Sequence, residues 1–195
     1  MGAKYWNDIN RYSQQNNNSS EKMAGHLETC GPTSAINCYD ALHLVPAKPA
    51  TFGGGEMQPE DALANVMNNT PKYSAELEKI RQGIWKTLPV NEVPQYYPYF
   101  AKLCLKARCE MMWDGNLFNY KSHLDKGYAL MVCLKKPGHY VCLKNYDNAG
   151  RFFYANDPYN GRDGIDGFNR HFSFDEIESN TESWYLLWYP EEHDY

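Results

Sequence analysis

The distribution of strand-like runs is the feature that most constrains this fold. "YALMVCL" (128–134), "HYVCLKNYD" (139–147), "RFFYAND" (151–157) and "WYLLWY" (184–189) are rich in aromatic and β-branched residues. "KKPG" and "NAG" supply turns between the first three, which makes those strands antiparallel neighbours. Upstream the texture is helical. Residues 32–44 carry Ala35, Ile36, Tyr39 and Leu42 at helical spacing, with Pro32 suited to a first turn. "PEDALANVMNN" (59–69) and residues 73–84 read as short helices, and "NLFNYKSHLDKG" (116–127) as a helix stopped by Gly127. A helical stretch near Tyr99 and a short strand at 107–113 complete the pattern. Helices first and strands after predict an α+β fold, an N-terminal helical part packed on a C-terminal antiparallel sheet. A chain of 195 residues is long enough for one domain with a real core, so 1–195 is read as a single domain. Residues 1–29 are polar and turn-rich and form an N-terminal arm.

Charge and hydropathy exclude several classes. The formal charge is −5, with no basic run, so no nucleic-acid partner is expected. No apolar stretch approaches the ~20 residues of a membrane span. The first twenty residues lack an apolar signal core, so a cytoplasmic location is expected.

Six cysteines stand at 30, 38, 104, 109, 133 and 142. None has the spacing of a zinc knuckle, and most sit in apolar segments, as buried thiols of a reducing compartment do. Cys133 and Cys142 flank a predicted hairpin, which leaves a disulfide between them open. Cys30 differs, because "TCGPTS" places it before Gly-Pro at the start of a helix. Unpaired N–H groups and the helix dipole at that point favour a thiolate and predict a lowered pKa.

A nucleophile needs a base, and the base needs an orienting group. His139 opens an aromatic strand after the "KKPG" turn, and its strand-mates Val141 and Leu143 point its face toward the helical layer. Asp157, before Pro158, ends the strand expected to pair with it, where a carboxylate can take the ring N–H. Each residue alone has a structural reading: a capped thiol, a rim histidine, an Asp-Pro turn. In the order Cys, His, Asp, on these elements, they form a nucleophile set. Asp157, Asp163 and Asp166 with intervening glycines faintly suggest a calcium loop, but the spacing is not that of an EF-hand and the terminal Glu is missing, so no metal or other cofactor is expected.

"TCGPTSAINCYDAL", "GHYVCLKNYD" and "YANDPYNG" together resemble the signature blocks of papain-like cysteine peptidases. The branch is that of bacteriocin double-glycine leader peptidases and their phage and bacterial cell-wall relatives. The resemblance spans roughly residues 12–190 and implies a papain-like fold, with Cys30 as nucleophile, His139 as base and Asp157 as orienter. One position departs from it. The glutamine that such enzymes carry shortly before the nucleophile, to donate to the oxyanion, is Ala24 here. "SQQNNN" (13–18) resembles an upstream element that supplies the donor in some relatives, which nominates Asn17 first and Gln14 second, so the arm is expected to contribute to the active site.

The resemblance implies hydrolysis of a peptide or isopeptide bond through an acyl-enzyme. The expected substrate is the peptide of bacterial cell wall (peptidoglycan), in the manner of a phage endolysin endopeptidase. A protease, toxin or effector acting on protein, an acyltransferase with the same three residues, and an inactive binding module are the alternatives.

Overall fold

The computed structural model describes residues 29–42, 59–69, 90–105, 107–159, 167 and 170–190. Among these residues six antiparallel strands lie in the order β1-β6-β2-β3-β4-β5. They are β1 Ala107–Met112, β2 Ala129–Leu134, β3 His139–Asp147, β4 Phe152–Asn156, β5 Arg170–Ser173 and β6 Thr181–Pro190. The helices are α1 Cys30–Ala41, α2 Pro59–Asn69, α3 Tyr97–Phe100, α4 Leu117–Asp125 and α5 Phe174–Asn180. Short 3-10 turns at Val90–Glu92 and Pro94–Tyr96 precede α3, and a π-helical turn, Ala101–Leu105, follows it. The helix expected at 73–84 lies outside the described residues.

The sheet has helices on both faces. On one, Ala35, Ile36 and Cys38 of α1 pack with Met131, Tyr140, Cys142 and Trp188. On the other, Tyr120 and Leu124 of α4 and Phe174 and Ile177 of α5 cover Leu130, Val132, Val141, Leu143 and Phe153. Burying each such large side chain contributes roughly 1.5–3 kcal/mol. Double coverage explains why "YALMVCL" is a continuous apolar run, since a strand buried on both faces has no polar side to alternate.

It also corrects one expectation. Val141 and Leu143 face α4 and α5, whereas α1 lies on the Tyr140 and Cys142 face. Both sets are apolar because both are covered, so apolarity alone did not identify the α1 side.

Local chemistry sets the helix ends. Asn116 caps α4 by accepting the Asn119 N–H at 3.0 Å. Ser173 caps α5 by accepting the Glu176 N–H at 3.1 Å, and Asp175 and Glu176 complement the dipole there. Gly127 ends α4's turn at φ +81°, a conformation that favours glycine. Nearly all of α1 is buried, its polar side chains included. The Ser34 hydroxyl donates to the Tyr140 carbonyl at 2.9 Å, fastening α1 to the start of β3.

The first turn of α2 buries Glu60 completely, and neither carboxyl oxygen has a hydrogen-bond partner among the described residues. Burial raises its pKa from 4.5 to about 8, against the pull of its own N–H and with help from Asp61. The folded state therefore keeps this proton in a window where the unfolded chain releases it, and rising pH through that window favours unfolding. Compared with Glu60→Gln, the wild-type protein should lose about 2 kcal/mol of stability between pH 5 and pH 7. Urea titrations of both proteins at the two pH values measure this, and parallel pH dependences would contradict it.

Candidate active site

The "KKPG" turn delivers His139 to the first position of β3, with Gly138 at φ +82°. Asp157 directly follows β4, the strand hydrogen-bonded to β3. The two side chains meet there, His139 Nε2 lying 2.7 Å from Asp157 Oδ1. Both are fully shielded from solvent, and the imidazole stacks on Tyr159 with ring centroids 3.8 Å apart and planes 4° apart.

Asp157 is held on several sides. Its Oδ1 also accepts the Tyr159 N–H at 2.9 Å, its own N–H donates to the Gly167 carbonyl at 2.7 Å, and the Arg170 guanidinium hydrogen-bonds Oδ2. Burial pushes its carboxyl up, but the bonds from His139, Tyr159 and Arg170 outweigh this and leave its pKa below the ordinary value. An ionised carboxylate is acceptor-only, so Nε2 carries the ring hydrogen of the neutral imidazole. Its Nδ1 then holds the free lone pair, and that atom is buried without a hydrogen-bond partner among the described residues. A buried, oriented acceptor of this kind can take a proton.

Cys30 is the first residue of α1 and is half-buried. The backbone N–H groups of Tyr140, the residue after His139, of Gly31 and of Cys30 itself favour its thiolate form. The Tyr140 carbonyl accepts the Ser34 hydroxyl one turn further along α1, so this residue sits against the start of the helix. A cavity of about 540 Å³ opens beside this junction, and Cys30, Gly138, Tyr140 and Tyr159 are among its walls. The chain neighbour of His139 and its stacking partner therefore line the same space as the thiol.

The lowered pKa expected of Cys30 is not found. Burial raises the thiol to about 11, and Glu92 adds to the rise. The helix-start N–H groups do pull it down, but desolvation exceeds them. At rest this sulfur is a thiol, and its reactivity depends on a base.

Cys133 and Cys142 are both free, and the strand register sets Cys133 opposite Tyr140 and Cys142 opposite Met131, in different rows of the hairpin. Asn17, Gln14, Asp163 and Asp166 lie outside the described residues. Among the described residues, no group of three or more His, Cys, Asp and Glu side chains could hold a metal ion. Among the same residues, no helix is long and apolar enough to cross a membrane. Arg170 and Tyr159 escaped the sequence reading. Tyr159 was within reach of it, two residues past Asp157, whereas Arg170 is the first residue of β5 and far from Asp157 in the chain.

Comparison with known proteins bears on the family and the fold. The model of the Peptidase_C39 like family matches residues 6–183. Among solved structures, a Bacillus anthracis protein described as a C39-like peptidase superposes with a TM-score of 0.52, at 12% identity, over 93% of this chain and 94% of its own. That likeness shows a shared fold. No curated protein matches the chain.

Proposed function

This chain belongs to the Peptidase_C39 like family, and on that premise we propose that it is an active cysteine peptidase whose reaction runs through Cys30, His139 and Asp157. The observation that carries the proposal is the buried Nδ1 of His139, which has no hydrogen-bond partner among the described residues, in a ring held by Asp157 and directly before Tyr140, which lines the same cavity as Cys30. In the proposed cycle Nδ1 takes the Cys30 proton as sulfur attacks the scissile carbonyl. The imidazolium is stabilised by Asp157 and returns the proton to the leaving amine, which leaves a thioester. Water, deprotonated by the same nitrogen, then releases the acid and restores the thiol. The Cys30 backbone N–H and an amide from Asn17 or Gln14 are the proposed oxyanion donors, each worth a few kcal/mol in such sites.

For substrate, the resemblance to cell-wall relatives supports stem or cross-bridge peptides of peptidoglycan, as a phage endolysin-type endopeptidase cleaves. Mass spectrometry of purified bacterial sacculi after digestion tests this, with Cys30→Ala as control. New amine and carboxyl termini released only by the wild-type protein are expected. Release from protein substrates alone would move the substrate to protein. Products joined to an added amine would make the enzyme an acyltransferase. Iodoacetamide labelling of Cys30 no faster than of Cys133, with no cleavage of any substrate, would overturn the enzymatic reading.

A further inference from the structure

The cavity beside Cys30 carries a charge that the proposed chemistry does not use. Glu92, on the 3-10 turn before α3, and Glu182, near the start of β6, both line it, although 89 positions separate them in the chain. Tyr140 and Trp184 form an aromatic wall of the same space, with ring centroids 6.1 Å apart and planes tilted by 51°. The Tyr140 hydroxyl donates to the Glu92 carbonyl at 3.1 Å, which fixes the turn bearing that carboxylate to the sheet. The two acidic fields overlap here. Glu92 acts on both Cys30 and Tyr140, and Glu182 acts on Cys133 and Tyr140. Among the described residues lining the cavity there is no lysine, arginine or histidine.

Negative charge near sulfur disfavours the thiolate, and it disfavours the oxyanion that follows. A cation seated in the cavity reverses both effects. Carboxylates supply its counter-charge, and the faces of Tyr140 and Trp184 accept its less solvated side. The volume suits one long side chain with adjoining backbone.

We propose that this cavity is a subsite for a cationic residue of the substrate, a primary ammonium or guanidinium beside the scissile bond, held by Glu92 and Glu182. The proposal rests on the reading of Cys30 as a peptidase nucleophile and names the substrate class for that same site. Substrate binding would then complete the site electrostatically, because the arriving cation offsets the acidic field around the thiol.

The test uses peptidyl acyloxymethyl ketones that carry lysine, arginine, norleucine or glutamate next to the electrophile. Their labelling of Cys30 in the full chain is followed by mass spectrometry, with iodoacetamide as a probe that needs no subsite. The expected preference for lysine over norleucine is at least about tenfold, as for a partly desolvated charge pair. It should shrink as ionic strength rises. In Glu92→Gln/Glu182→Gln the ratio should fall toward one, whatever the absolute rates. A wild-type preference for norleucine or glutamate would overturn the subsite, as would a lysine preference that the double substitution leaves intact. Those outcomes leave the peptidase reading standing if iodoacetamide still singles out Cys30. Failure of that reading shows instead as absent selectivity for Cys30 with every probe. Sacculi with acetylated amines identify the source of the cation. Cleavage lost on acetylation assigns it to cell wall, and cleavage confined to lysine-bearing proteins assigns it to protein. Either result supports the subsite.

Discussion

His139→Ala lowers kcat/KM by about 10³-fold or more, while Asp157→Asn retains measurable activity. The first loss follows from the state of the thiol. With a pKa of about 11, Cys30 at pH 7 is thiolate only to the order of 10⁻⁴, so nearly every turnover needs a base to remove the proton. Nδ1 of His139 is the acceptor in place, and alanine removes it without touching the Ser34 bond that fastens α1 to β3. Asp157 acts one step further away, by holding the ring. An asparagine there can still accept the Nε2 hydrogen through its carbonyl oxygen, which preserves the tautomer. Its amide nitrogen would then face the Arg170 guanidinium, donor against donor. Part of the Asp157→Asn loss is therefore that clash, and adding Arg170→Met should recover some of it. Steady-state rates on any cleaved peptide, with circular dichroism to confirm folding, decide the matter. Equal collapse in the two single variants, both folded, would mean that the roles are misassigned.

The physical reach of each signal separates what was legible in the sequence from what was not. The helix at α1, the hairpin β2–β3 and the strand β4 are written in local periodicity and turn residues, and the structure has them within a few positions. Cys30, His139 and Asp157 were nameable because each stands at an element boundary marked by glycine or proline. Arg170 was not, because nothing in the local sequence at the start of β5 announces which carboxylate that residue will reach. The α1 side of β3 was misread for a related reason. A strand covered on both faces carries no polar side, so Val141 and Cys142 were equally good candidates for the contact. The thiol's raised pKa also depends on tertiary burial. The helix start lowers it as expected, yet its effect is smaller than desolvation by residues distant in sequence. The convergence of Glu92 and Glu182 is likewise a product of topology, since β6 returns to the middle of the sheet beside β2.

Gly31→Ala should destabilise the protein by about 4 kcal/mol and slow Cys30 alkylation with it, because α1 could no longer sit against its neighbours. A Cβ at this position would lie 2.1 Å from the Tyr97 hydroxyl and 2.7 Å from the Asn91 carbonyl oxygen. Neither can yield easily. Tyr97 is fully buried and its hydroxyl donates to that same carbonyl at 2.6 Å, so the methyl group would press on both ends of one hydrogen bond. Overpacking costs about 1–3 kcal/mol, and separating a buried donor from its acceptor costs a similar amount. The alternative to breaking that bond is to displace the start of α1. The thiol would then shift relative to the Tyr140 N–H and leave its place in the cavity wall. Stability and reactivity are therefore expected to fall together at this residue. In Glu60→Gln, by contrast, stability should change while Cys30 stays as reactive as before. Tyr97→Phe in the Gly31→Ala background removes the atom at 2.1 Å and should restore part of both losses, although the Asn91 contact at 2.7 Å remains. Urea unfolding and iodoacetamide kinetics on the single and double variants measure the two effects. A Gly31→Ala protein as stable and as reactive as wild type would show that α1 does not require this close approach to keep Cys30 at the mouth of the cavity.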